Sequence, residues 1–166
     1  MSQVCKRIPS PVGELTLVAR DGKLIAILWD NDRPTRVKVG ALRDDDAHPV
    51  LVETARQLGE YFAGERTAFD LDIAFHGTEF QKRVWNALLT IPFGETRSYR
   101  DIAVQVGNHR ATRAVGAANG RNPLSIVAPC HRVIGTSGDL TGFAGGKDRK
   151  AALLALESSA RQPVLF

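Results

Sequence analysis

One place in the chain sets a cysteine beside a histidine. Cys130 and His131 are adjacent and follow the apolar run Ile126-Val127-Ala128-Pro129, where proline must break regular structure and hold the thiol rigidly. A thiol attacks carbon as thiolate, and a free cysteine with a pKa near about 8.5 is scarcely ionised at neutral pH, so it needs a nearby base. His131 is the candidate, acting directly or through a water. A histidine in that role is usually oriented by a carboxylate. Three follow it in the chain: Asp139 in a glycine-rich loop, Asp148 opening the last helix and Glu157 ending it. The competing reading of Cys130 is a small buried apolar residue.

The elements around this pair read as helices. Thr78 and Gln81 form a capping box, and Phe80, Val84, Leu88 and Ile91 line one face until Pro92 ends the helix. Ser98 and Asp101 repeat the capping logic ahead of Ile102, Ala103 and Val106, and Gly107 closes that short helix. A second short helix over Ala111 to Asn119 completes the pattern of a helix-turn-helix. Ala111, Ala114, Gly116, Ala117 and Ala118 leave this helix almost without side chains able to read base edges, whereas a thin helix can enter a minor groove with Arg113 as its one long probe.

The first half reads differently. The stretches ELTLVAR and KLIAILWD flank Asp21-Gly22 and predict a two-stranded hairpin. Residues 31–47 predict an exposed loop, and Leu51, Ala55, Leu58 and Phe62 a helix that stops at Gly64. The stretch Phe69 to Phe75 alternates as a further strand. Trp29, Tyr61 and Phe62 are expected in the core.

The chain has 166 residues, 43% of them hydrophobic, enough for one or two compact units. No apolar run reaches the roughly 18 residues of a membrane span, and the N-terminus has no signal-peptide layout, so a soluble cytoplasmic protein is expected. Two cysteines are too few for a disulfide framework, and Cys5 stands alone without zinc-ligand spacing, so no metal site is expected. Residues 1–77 carry 10 Lys/Arg against 12 Asp/Glu, and residues 78–166 carry 12 against 6, which puts the whole basic surplus in the second half and suggests a polyanionic partner there.

The string Asn122-Pro123-Leu124-Ser125-Ile126-Val127-Ala128-Pro129-Cys130-His131-Arg132-Val133-Ile134-Gly135 resembles the active-site signature of the O6-alkylguanine-DNA alkyltransferases, also called methylated-DNA–protein-cysteine methyltransferases. Thr78-Glu79-Phe80-Gln81-x-x-Val84-Trp85, Ile91-Pro92-x-Gly94-Glu95-Thr96 and Arg113-Ala114-Val115-Gly116-Ala117-Ala118-Asn119 resemble family blocks in family order. The likeness is strong over residues 78 to about 158. Residues 1–77 are similar to the family's N-terminal domain more loosely, through Ser10-Pro11-Val12-Gly13 and Tyr61-Phe62-Ala63-Gly64.

The resemblance implies an α+β protein: a small α/β, ribonuclease H-like support domain at 1–76, then a mainly helical DNA-binding and alkyl-transfer domain at 77–166 with the helix-turn-helix and the active-site loop. It implies direct reversal of O6-alkylguanine, and of O4-alkylthymine, in double-stranded DNA, by base flipping through the minor groove and irreversible transfer to Cys130, without a cofactor. His131 would be the base, Glu157 its partner, Asn122 the brace of the turn, and Tyr99 the residue that meets the 3′ phosphate and donates toward guanine N3. Arg113 would fill the gap left by the flipped base, with Ala114, Ala117, Ala118 and Arg121 beside it on DNA. Val133, Phe143, Ala144 and Gly145 would line the lesion pocket. Phe143 stands where many relatives have tyrosine and Ala144 where some have serine, so contacts to the lesion there are expected from backbone. The protein is expected to act as a monomer, and clustering along DNA stays open. The rival readings are a non-catalytic adaptor for alkylated DNA, which would lack Cys130, a helix-turn-helix regulator, which would need base-reading side chains in place of the alanines, and a cysteine hydrolase.

Overall fold

Asp21 and Gly22 both take positive φ, 54° and 78°, which matches the twist of a two-residue hairpin turn. In the computed structural model, which describes residues 3–33, 35–138 and 143–161, this turn joins β2 (Leu15–Arg20) to β3 (Lys23–Trp29). The sheet has two further strands, β1 (Gln3–Ile8) and β4 (Leu42–Asp44), in the order β3-β2-β1-β4, with β1 antiparallel to β2 and parallel to β4. Neither was expected. In β1 the adjacent Val4 and Cys5 are both buried and break alternation, and β4 is three residues inside the stretch expected as loop. That stretch also holds a buried arginine, Arg36, whose Nε donates to Asp32 at 2.6 Å.

Helix α1 (Pro49–Phe62) ends as expected just before Gly64, at φ 77°. Its buried face is Leu51, Thr54, Gln57, Leu58 and Tyr61, rotated from the expected stripe so that Phe62 is half-buried, edge-on to Tyr61. Gln57 explains a second difference. Its side-chain amide donates to the carbonyl of Asp70 and accepts from the Asp70 N–H, both at 2.9 Å. The backbone of the expected 69–75 strand is thereby diverted, and one parallel bridge, Leu24 to Ile73, remains of it.

The chain forms two compact units, one of Met1–His76 with Pro123–Ser125 and one of Gly77–Asn122 with Ile126–Phe166. A boundary at 76/77 alone does not account for Pro123–Ser125. The Pro123 carbonyl accepts from Ile27 N–H at 2.8 Å, and Ser125 Oγ accepts from the buried Trp29 Nε1–H at 3.0 Å.

The second unit is mainly helical: α2 (Glu79–Leu88), α3 (Tyr99–Gln105), α4 (Thr112–Gly120) and α5 (Lys147–Arg161), with a short parallel pair of β5 (Arg97–Ser98) and β6 (Val133–Ile134). Both expected capping boxes form, Thr78 with Gln81 and Ser98 with Asp101. Gly107, at φ 88°, ends α3 ahead of α4. Trp85 of α2 donates its Nε1–H to the Ala118 carbonyl at 2.8 Å, pinning α4 to α2. Among the described residues no helix is long and apolar enough to cross a membrane.

Replacing Trp29 by phenylalanine removes a buried donor and strands the Ser125 hydroxyl. The expected cost is about 1–3 kcal/mol, read as a lower urea midpoint at unchanged slope; an unaltered midpoint would show that this bond contributes nothing.

Candidate active site

The segment before the thiol is held at several points. Ile126 is β-branched yet sits at φ 74°, a conformation that costs energy and persists only when its surroundings impose it; it is buried. Pro129 precedes a single 3-10 turn, Cys130–Arg132, in which the Arg132 N–H donates to the Pro129 carbonyl at 2.9 Å. Asn122 Nδ2 donates to the Ala128 carbonyl at 2.8 Å and Asn119 Nδ2 to the Cys130 carbonyl at 3.4 Å. Cys130 is buried, with 2% of its surface exposed.

His131 is wholly buried, and its Nε2–H donates to Glu157 Oε2 at 2.6 Å. Glu157 lies in the last part of α5, four residues before its end, and is buried too. Of the three carboxylates left open by sequence, Asp148 is exposed and Asp139 lies outside the described residues. The Glu157 carboxylate is shared. Arg132 Nε donates to Oε1 at 2.8 Å and Nη2 to Oε2 at 3.0 Å, while Nη1 donates to the Ile91 carbonyl at 2.6 Å and the Gly94 N–H reaches Oε1 at 3.3 Å.

This arrangement decides the charge of the histidine. Burial holds His131 below its ordinary pKa; Glu157 pulls it back up, and Arg132 and Lys150 push it down. Because Arg132 already neutralises Glu157, protonating His131 would leave a net positive charge in the interior. With Nε2–H donated to Glu157, Nδ1 is the accepting nitrogen. It is buried and has no hydrogen-bond partner among the described residues. The sign for stability follows: below pH about 6.5 an unfolded chain takes up a proton that the folded site refuses, so this group's contribution is present above that pH and lost as pH falls.

Sequence reasoning passed over Arg132 and Lys150. Arg132 stood inside the recognised string, beside the two residues given roles. Lys150, buried in α5, donates from Nζ to the Val133 carbonyl at 2.5 Å, and its ammonium lies 5.9 Å from the centre of the Tyr99 ring. The spacing of Lys150, Leu153 and Glu157 on one helical face was the available signal.

On the helix-turn-helix, Arg113, Ala114, Ala117 and Arg121 are exposed, as are Arg100 and Arg110, and Tyr99 is half-buried at the first position of α3. Ala118 departs from expectation: it is buried, because the Trp85 indole holds its carbonyl. Val133, Phe143 and Gly145 are buried and Ala144 is partly so; residues 139–142 between them lie outside the described residues.

Comparison with known proteins adds independent findings. The family model described as "6-O-methylguanine DNA methyltransferase, ribonuclease-like domain" matches residues 4–75, and that described as "6-O-methylguanine DNA methyltransferase, DNA binding domain" matches residues 79–159. A methylated-DNA–protein-cysteine methyltransferase of Mycolicibacterium paratuberculosis is 53% identical over 152 residues, covering 92% of this chain and 90% of its own. The constitutive enzyme of that name from Bacillus subtilis is 45% identical over 150 residues, covering 89% and 91%. The crystal structure of Mycobacterium tuberculosis OGT in complex with DNA superposes with a TM-score of 0.85 at 48% identity, covering 96% of this chain and 94% of that one. Matches of this depth along both halves establish that the chain belongs to the methylated-DNA–protein-cysteine methyltransferase family.

Proposed function

We propose that this chain is a DNA repair protein that takes the alkyl group from O6 of guanine in duplex DNA onto the sulfur of Cys130, once per molecule. The observation that carries the reading is the burial of Cys130 in a braced turn beside a neutral His131 whose other nitrogen is committed to Glu157. The thiol proton passes to His131 Nδ1, directly or through one water. The thiolate displaces the guanine in line at the alkyl carbon: an S–C bond forms, the C–O6 bond breaks, and its electron pair returns to the base. Departure is easier when N3 receives a hydrogen bond, the role given to Tyr99. The thioether product has no leaving group, so the step is irreversible.

A base cannot meet the thiol while stacked in the duplex. In this reading Arg113, exposed near the start of α4, fills the stack after flipping, Ala114 and Ala117 allow close backbone approach, and Arg121 adds a phosphate contact. Val133, Phe143, Ala144 and Gly145 form the lesion pocket. Residues 77–166 bind DNA and carry the transfer, residues 1–76 support them, and the protein works as a monomer in the cytoplasm, where its thiol stays reduced.

Exposure to a benzylated guanine is expected to add one benzyl group to the intact mass, located on Cys130, while Cys130→Ser binds DNA without gaining mass. Repeated turnover or label elsewhere would sink the reading. Single-turnover transfer is expected to hold as pH drops through about 6.5 and to fail only below it, because burial keeps His131 neutral there; an acid limb centred at or above about 6.5 would overturn the reading of a ring held neutral by burial. Arg113→Ala is expected to slow transfer from duplex DNA by about tenfold or more, equivalent to about 1.4 kcal/mol of a flipping cost of a few, and to leave transfer from free base unchanged. Equal losses on both would take Arg113 out of flipping.

A further inference from the structure

The first unit contains a cavity of about 430 Å³ whose lining includes Arg20, Asp21, Gly22, Arg43 and His48, none of which has a part in alkyl transfer. Arg7, Arg36, Arg56 and Arg66 of the same unit each pair with a carboxylate. Arg20 and Arg43 pair with none among the described residues. Two nitrogens of the lining residues, Arg20 Nε and His48 Nδ1, are buried without a hydrogen-bond partner among the described residues. Arg20 Nη2 lies 3.0 Å from His76 Nε2, so its guanidinium is held by a ring and not by a charge. His48 is also the N-cap of the fourteen-residue α1, whose first turn has no acidic residue and whose cap makes no side-chain hydrogen bond. Asp21 is the one carboxylate of the lining, exposed in the hairpin turn.

Uncompensated guanidinium groups, a buried guanidinium N–H without a partner beside an unpartnered imidazole nitrogen, and the positive end of a helix dipole in one cavity all favour the same ligand class. We propose that this cavity binds a phosphate group, with Arg20, Arg43 and His48 as its donors. Two guanidinium forks suit the several oxygens of a tetrahedral oxyanion better than a spherical halide. The phosphate is either free or part of a nucleic-acid backbone, and these sources are separable.

The test is an NMR titration of the ¹⁵N-labelled full chain with inorganic phosphate at constant ionic strength. The amide signals of Gly22, Arg43 and His48 are expected to move along a saturating curve, while those around Cys130 stay still. Arg43→Gln, at an exposed position of the edge strand β4, is expected to weaken binding about tenfold or more while benzyl transfer to Cys130 proceeds at the parental rate. Signals that do not saturate, or that move equally with chloride, overturn the site. So does an Arg43→Gln variant that binds as tightly as the parent, and this variant decides the matter even if Arg20→Gln fails to fold. In a second arm an undamaged duplex replaces phosphate: movement of the same signals, lost in Arg43→Gln, assigns the phosphate to DNA, and stillness there beside a saturating phosphate response assigns it to a free one.

Discussion

The second unit depends on a single buried carboxylate. Glu157 accepts from His131, from Arg132 twice and from the Gly94 amide, which joins α5, the turn of the thiol and the loop after α2 at one point. Such a charge survives in the interior only with a countercharge and full hydrogen bonding. Arg132 supplies the countercharge, and the same guanidinium closes off the Ile91 carbonyl at the end of α2. The consequence reaches His131. An isolated carboxylate would favour the imidazolium, whereas one already neutralised fixes the tautomer and leaves the ring neutral. The ring therefore stands neutral with Nδ1 as its accepting nitrogen, and a positive charge formed there needs a compensating negative charge beside it.

A displacement at an sp³ carbon needs its nucleophile aimed along one line, and positioning of that kind is worth several kcal/mol if it is established before the substrate arrives. The turn at Cys130 carries backbone restraints of that kind. Ile126 is forced into left-handed φ, Pro129 fixes the entry to the 3-10 turn, and Asn119 and Asn122 occupy the carbonyls of Cys130 and Ala128. A side-chain amide that satisfies a buried carbonyl also limits how that peptide can rotate. The two asparagines therefore restrain the backbone that carries the thiol.

What was legible in the sequence is what is local. Asp21-Gly22, Gly64, Gly107 and the capping boxes at Thr78 and Ser98 draw their signal from residues three or four positions apart, and each is found where the spacing puts it. Elements that exist because of a distant partner were hidden. β4 forms by pairing with β1 39 residues away along the chain, as Arg43 with Val4 and Asp44 with Cys5, β1 hides its strand character by burying the adjacent Val4 and Cys5 while it pairs with the nearby β2, and Gln57 holds the backbone of Asp70 away from the expected 69–75 strand. The active site divides the same way. Cys130, His131 and Asn122 could be read from one string, but the choice of Glu157 over Asp139 and Asp148 came from family resemblance, since a helical face shows only that Glu157 is buried and not what it meets. Arg132 and Lys150 had no reading: the helical spacing of Lys150 with Leu153 and Glu157 marks a shared face, but the carbonyl of Val133 and the carboxylate that these two cations meet are set by the fold.

The composition of α4 bears on specificity. A protein that must act on a damaged base in any sequence context gains nothing from a code of base-edge contacts, and its affinity has to come from phosphates and groove shape. α4 presents alanine at 114 and 117 with arginine at 113, Arg121 caps its end, and Arg100 and Arg110 are exposed nearby in sequence. On its other face α4 is held by the Trp85 indole at the Ala118 carbonyl, and a Cβ at Gly116 would meet the Tyr99 ring only at ordinary contact distance, 3.9 Å. Beyond Arg113, the exposed face of α4 offers no polar side chain that could read the edge of a base, damaged or normal.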